Sequence, residues 1–167
     1  MSTTTSINGT KSMEVNIGIN KDDRKAIAEG LAKVLADSYM LYLKTHNYHW
    51  NVTGKLFHPL HEMFEEQYTE LAEAIDEIAE RIRALGFRAP GSFREYSEIT
   101  SIQEDTDQPD ALEMIRRAAE ANETILRTAR EALNPCQDAD DEATIDLLTH
   151  RLKVHSKTAW MLRSHLE

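Results

Sequence analysis

Two histidines and three carboxylates, His49, His61, Glu65, Asp76 and Glu80, are the residues of this sequence whose types and spacing best suit chemistry. His61 and Glu65 are four positions apart, as are Asp76 and Glu80, so on a helix each pair projects from one face. Imidazole with carboxylate suits iron, zinc or manganese, and no soft thiolate joins the set. Redox chemistry there needs iron and a coordination position open to an oxidant. A distance constrains the geometry. His61 and Asp76 are 15 positions apart, roughly 22 Å along one helix at ~1.5 Å per residue. Ligands lie within ~2–2.5 Å of a metal ion, so one chain cannot bring both pairs to the same ion. Either the pairs are separate half-sites, or a second copy runs antiparallel and sets its Asp76 and Glu80 against His61 and Glu65. A two-fold contact does this automatically and produces two equivalent sites. No Glu-x-x-His occurs in the chain, although that motif marks metal sites at the centre of helical bundles. A site at the bundle centre is therefore not expected. The alternative to any metal site is a solvated acidic flank of the helix.

The elements that must position these residues are helices. Residues 1–20, rich in Ser, Thr, Asn and Gly, are expected to form a flexible tail ahead of one domain over 21–167. Apolar and aromatic residues at steps of three and four (Ala28, Leu31, Leu35, Tyr39, Tyr42, then His46 and His49) predict a helix from Asp22 to about Asn51. Gly54 marks its stop. Leu60, Phe64, Leu71, Ile75, Ile78, Ile82 and Leu85 predict a second helix from about Pro59 to Leu85, ended by Gly86. A long connection follows, and Ser92–Glu98 within it reads as a short helix. A third long helix is expected from Pro109 to Leu133, with Leu112, Ile115, Ala119, Asn122, Leu126 and Ala129 on one face. Asn134-Pro135-Cys136 reads as a loop, and a fourth helix runs from about Asp141 to Leu166 on Ile145, Leu148, Leu152, His155, Ala159 and Leu162. Four such helices, ~40 Å long each, make a bundle. The long middle connection joins helices two and three in parallel, as in ferritin-like folds. The fold class is all-α, a four-helix bundle with a short extra helix between helices two and three.

Composition narrows the function further. With 167 residues, 41% hydrophobic and 29% charged, the chain matches a single globular domain. Acidic residues number 29 against 19 basic, a formal net charge of −10. That balance opposes a surface built to coat DNA, because Lys and Arg supply most of the affinity for phosphate. No apolar run approaches the ~18 residues of a membrane span, and no membrane role is expected. One cysteine precludes an internal disulfide and fits a reducing, cytoplasmic setting.

The segment His49-Trp50-Asn51-Val52-x-Gly54-x-x-Phe57-x-x-Leu60-His61-x-x-Phe64-Glu65, continued by Asp76-x-Ile78-Ala79-Glu80-Arg81, resembles the signature of the Dps family of mini-ferritins. Pro90-Gly91-Ser92-Phe93-Arg94-Glu95-Tyr96 and the closing Ala159-Trp160-Met161-Leu162-Arg163-Ser164 resemble it as well. The resemblance implies a hollow homododecamer with tetrahedral symmetry and a ferroxidase centre between two-fold-related subunits. It implies two irons per centre, with zinc able to substitute. His49, His61 and Glu65 would come from one subunit and Asp76 and Glu80 from its neighbour. Trp50 would sit beside the centre, either intercepting oxidising equivalents or serving as an interface aromatic. The implied chemistry is oxidation of Fe(II) by hydrogen peroxide, in preference to dioxygen, and storage of ferric mineral. Glu65 stands where the family more often carries Asp, and its extra methylene bears on the metal–metal spacing and on occupancy of the second iron position.

Lesser features follow from position along the helices and, for the pore and DNA binding, from the same resemblance. Glu62 and Glu66 are candidates for nucleating mineral on an inner wall, with an ordinary solvated face as the alternative. Asp141 and Asp146, near the start of helix four, are candidates to line a three-fold pore drawing Fe(II) inward. Their alternative is simply to favour the positive end of the helix. His46 and His155 read as hydrogen-bonded structural residues, His58, His150 and His165 as surface ones, and Cys136 is given no chemistry. The family's other reputed activity, DNA binding, is expected to be weak or absent, because the N-terminal segment and C-terminus lack basic clusters. The competing reading, a DNA-compacting and nucleoid-associated oligomer with little ferroxidase activity, would favour such clusters.

Overall fold

The protein is described over residues 14–167 by a computed structural model; residues 1–13 of the expected tail lie outside the described residues. Helix α1 (Lys21–Asn51) begins where the Asn20 side chain accepts a hydrogen bond from the Asp23 N–H, with Asp22 and Asp23 favouring the positive end. Helix α2 (Phe57–Ala84) follows a short turn through Gly54. Gly86 ends it at φ 95°, with its own N–H on the Arg83 carbonyl and that of Phe87 on the Ile82 carbonyl. A Cβ at Gly86 would fall 2.9 Å from both Val15 Cγ2 and Arg24 Nη1. Gly86→Ala therefore meets an unfavourable backbone and a close contact together. It is expected to cost about 1–3 kcal/mol, read as a lower denaturant midpoint.

Helix α3 (Phe93–Ile99) lies within the long connection. Ser92 caps it, and the Glu95 carboxylate reaches back to the Ser92 hydroxyl and the Gly91 N–H. Helix α4 (Ala111–Asp138) is capped by Asp110, which accepts from the Glu113 N–H, so Pro109 precedes the cap. Helix α5 (Glu142–Arg163) is capped by Asp141.

The four long helices form an all-α, ferritin-like bundle. Its directions follow from the contacts. His49 faces His61 and Tyr42 faces Tyr68, so α1 and α2 are antiparallel. Gly30 meets Ala132 and Asp37 meets Thr128, so α4 is antiparallel to α1 and parallel to α2. Glu70 meets Arg151 and Arg81 meets Thr144, so α5 is antiparallel to α2.

The long connection is held by buried polar groups. Asp37 is fully buried, and it accepts from the Thr100 hydroxyl (2.8 Å), the Ser101 N–H (2.6 Å) and the Thr128 hydroxyl (2.7 Å). Lower down, Asp105 pairs with Lys44 at 2.9 Å and with Arg117 at 3.2 Å, and accepts from the Tyr48 hydroxyl.

Three sequence expectations are corrected here. Helix α4 does not stop at Leu133 but runs through Pro135 to Asp138, and Cys136 is helical and fully buried rather than in a loop. Pro135 deprives only the carbonyl four residues back of its donor, while continuation places Cys136 in the core beside Ala132 and Leu148. Burial and the nearby Asp141 carboxylate push the Cys136 thiol up to about 11, so it is expected to resist alkylation at pH 8 until the protein is unfolded. Second, α1 buries Ile27, Val34, Leu41 and Tyr48 more completely than Tyr39, Tyr42 or His46, because α2, α3 and α4 all pack against it. Third, Leu112 is exposed, and Met114, Ala118 and Ile125 fill the core in its place.

His155 is a buried structural histidine. Its Nδ1 bonds the Asn122 side-chain oxygen at 2.8 Å, and its Nε2 accepts from the buried guanidinium of Arg151 at 3.1 Å. Burial, with the Arg151 charge second, lowers its pKa from 6.5 to about 3. Between these values the unfolded chain binds the proton and the folded one does not. Stability is thus complete above pH 6.5 and is lost as pH falls toward 3, with a slope of up to about 1.4 kcal/mol per pH unit. His155→Gln should flatten that part of the stability–pH curve.

Candidate metal centre

The turn between α1 and α2 brings His49 and His61 face to face, their rings stacked at 3.8 Å and 15°. Each Nδ1 lies 2.8 Å from the other residue's backbone carbonyl oxygen. A carbonyl only accepts, so both Nδ1 atoms carry the proton and both Nε2 atoms keep a free lone pair. Reciprocal bonds of this kind fix tautomer and ring orientation, the usual arrangement behind a metal-binding imidazole. Glu65 lies one turn beyond His61 and is exposed.

Asp76 and Glu80 are exposed farther along α2. The helix is unbroken from Phe57 to Ala84, so they lie roughly 22 Å from His61. Among the described residues, no three His, Cys, Asp or Glu side chains of one chain converge on a point that could hold an ion. Each half of the ligand set is open, and neither is complete.

Several of the candidate acidic residues line two grooves. One, along the outer face of α2, is lined by Glu62, Glu65, Glu66, Glu70 and Glu73, so the candidate mineral-nucleating Glu62 and Glu66 share it with Glu65. The other is lined by Glu77, Glu80, Arg81, Asp146 and His150, which places Asp146 in one groove with Glu80. Asp141 is elsewhere. It is buried, pairs with Arg81 at 2.8 Å, accepts from Thr144, and Arg81 and Thr144 hold its carboxylate below the usual range against the opposing effect of burial. Its carboxylate is committed within the chain, as a helix cap.

Trp50 is 62% exposed and stacks on His46 at 4.7 Å. His58 is exposed and lies 3.4 Å from Glu62. Sequence reasoning missed Tyr68, whose ring meets both His46 (3.9 Å) and His49 (5.2 Å). Its helical spacing from His61 and Glu65, seven and three positions, was the available signal. Arg151 was also missed. It is fully buried and holds Glu70 bidentately across the α2–α5 groove.

An antiparallel pair of helical hairpins with a long crossover, half-buried imidazoles and exposed carboxylates defines a ferritin-like protein, and the family model for ferritin-like domains matches residues 28–167. The chain is 44% identical over 142 residues to DNA protection during starvation protein 2 of Bacillus anthracis, covering 85% of this chain and 97% of that one. The crystal structure of the Dps protein from Vibrio cholerae O1, a member of a broad superfamily of ferritin-like diiron-carboxylate proteins, superposes with a TM-score of 0.88 at 33% identity. It covers 95% of this chain and 100% of that one. A Dps protein from Bacillus brevis gives a TM-score of 0.85 at 35% identity, over 89% and 100% of the two chains. The chain belongs to the Dps family of ferritin-like proteins. No helix among the described residues is long and apolar enough to cross a membrane.

Proposed function

We propose that this chain is a cytoplasmic mini-ferritin subunit that oxidises Fe(II) with hydrogen peroxide, or more slowly dioxygen, at sites shared between two-fold-related copies. The single observation behind this reading is the division of the ligand set. His49 and His61 offer two free Nε2 lone pairs at one end of α2, while Asp76 and Glu80 stand roughly 22 Å away. Two copies placed antiparallel complete two sites at once. Each site then has His49, His61 and Glu65 from one subunit and Asp76 and Glu80 from the other.

Iron enters as substrate. The imidazoles and carboxylates hold two Fe(II) ions, each gives one electron, and peroxide leaves as two waters after taking up two protons. Pairing the electrons releases no hydroxyl radical. The carboxylates favour the harder ferric product, which passes to mineral in the hollow of a twelve-subunit shell. Zinc suits the same ligands and would block turnover. Glu62 and Glu66, in the groove with Glu65, are proposed as nucleating groups, and Asp146 as the pore carboxylate that draws Fe(II) inward.

Exposed large apolar side chains support assembly. Trp50, Phe93 (71% exposed) and Trp160 (66% exposed) are unusual on a free surface and suit burial between copies. Adding Fe(II) and then peroxide to the purified oligomer should raise ferric absorbance within seconds. No rise would sink the reading. Retention of DNA by the oligomer in a gel shift at low salt is not expected at a net charge of −10, and its appearance would favour the compaction role.

A further inference from the structure

Beside the candidate ligands, aromatic rings of α1, α2 and α3 form an unbroken column. It starts where Tyr68 meets His49 edge-on at 5.2 Å. From Tyr68 it continues to Tyr42 at 6.1 Å, from Tyr42 to Tyr39 at 5.8 Å, and from Tyr39 to Tyr96 of α3 at 4.8 Å. Trp50 joins through His46, which lies 3.9 Å from Tyr68. Every ring touches the next, at or inside the ~4.5–7 Å range of aromatic pairs.

The direction of the column gives it meaning. Because α1 and α2 are antiparallel, Tyr42 and Tyr68 each lie seven residues from the His49–His61 pair. Tyr39, ten residues from His49, is level with Leu71, and Asp76 is five residues farther along α2. The column thus covers about 15 Å of the roughly 22 Å between the chain's two half-sites. In a two-fold pair those half-sites belong to different iron centres. These half-buried positions carry phenols, which can give up a hydrogen atom and exchange the proton with solvent.

We propose that Tyr68, Tyr42 and Tyr39 are a one-electron relay joining the two iron centres of a two-fold pair, an inference that rests on the ferroxidase reading above. It acts when a centre holds a single Fe(II). That ion reduces peroxide by one electron and, with one proton, yields Fe(III), water and a hydroxyl radical. The radical takes the hydrogen atom of the Tyr68 O–H, forming water and leaving a phenoxyl radical. An electron then passes from Tyr42 to Tyr68 and from Tyr39 to Tyr42. At each exchange the donor phenol releases its proton to solvent and the phenoxyl takes one up. The Tyr39 radical finally accepts an electron from Fe(II) at the second centre, and a proton, restoring the phenol. In sum two Fe(II), one peroxide and two protons give two Fe(III) and two waters.

The test uses the whole oligomer with limiting peroxide, at one and at two Fe(II) per centre, followed by rapid-freeze electron paramagnetic resonance and ferric absorbance. At one Fe(II) per centre the wild type should show a short-lived tyrosyl signal and close to two Fe(III) per peroxide. Tyr42→Phe, which keeps the ring and removes the hydroxyl, should lengthen the radical lifetime tenfold or more and lower the yield toward one Fe(III). At two Fe(II) per centre its oxidation rate should match the wild type. An unchanged lifetime and yield in Tyr42→Phe, with normal oxidation at full loading, would overturn the relay alone. No ferric product from the wild type at either loading would overturn the ferroxidase reading and the relay with it. Should Tyr42→Phe slow the fully loaded reaction, Tyr39→Phe decides by the same two readouts, because its ring is one step farther from the ligands.

Discussion

His61→Ala and Asp76→Ala are each expected to reduce fast Fe(II) oxidation by roughly 100-fold or more, and oligomers assembled from both variants together to recover about a quarter of it. The size of the loss follows from the ligand role: even groups that merely orient a metal ligand are worth ~10–100-fold. The recovery follows from the two-fold axis. A pair made of one variant of each kind has one centre with neither defect and one with both. With random pairing half of the pairs are of this kind, so a quarter of all centres are intact. Ferric absorbance after refolding equimolar mixtures measures the outcome. Each variant alone serves as the baseline, and circular dichroism checks that both fold. A mixture no faster than its components would mean that the half-sites act separately, and the shared centre would have to be abandoned.

Asp37→Ala is expected to be the most damaging substitution away from the proposed iron ligands, at roughly 3–5 kcal/mol. Its carboxylate receives the Thr100 hydroxyl, the Ser101 N–H and the Thr128 hydroxyl inside the protein. Truncation strands the buried Thr128 hydroxyl and removes the buried acceptor that ties down the Thr100 hydroxyl and Ser101 N–H, and leaving a buried group unpaired costs more than its bond contributes. For a chain of this size the loss corresponds to a fall in Tm of about 6–20 °C. Assembly couples Tm to subunit concentration, so the comparison must be made at matched concentration. Asp37→Asn keeps the volume and one acceptor and should lose only part of that stability. A surface-like effect, under about 0.5 kcal/mol for the alanine, would show that the long connection is anchored elsewhere, for instance through Asp105.

The division of the candidate ligands was legible in the sequence because it needs only the helical rise: 15 residues on one helix cannot close on one ion. The helix positions were legible for a similar reason. Apolar residues at steps of three and four, and the glycines after α1 and α2, are local signals set by neighbouring residues. Pro135 misled for the opposite reason. Its local preference is to break a helix, whereas burial of Cys136 against residues distant in sequence carries α4 through it.

What only the tertiary structure decided are pairings between distant segments. Periodicity places an apolar arc on α1, but α2, α3 and α4 together determine that Ile27, Val34, Leu41 and Tyr48 are the most deeply enclosed. Asp141 and Asp146 are both pore candidates from the resemblance, with Asp146 preferred. Arg81, 60 positions away in sequence, makes one a buried cap and leaves the other free in a groove with Glu80. The free Nε2 atoms of His49 and His61 depend on carbonyls across a turn, and the tyrosine column on three helices meeting. By itself the sequence determined the types of the candidate ligands, their axial spacing and the helices that carry them, since these obey local geometry. Which atom of each side chain is free to act depends on partners far along the chain, and only the folded bundle brings those partners together.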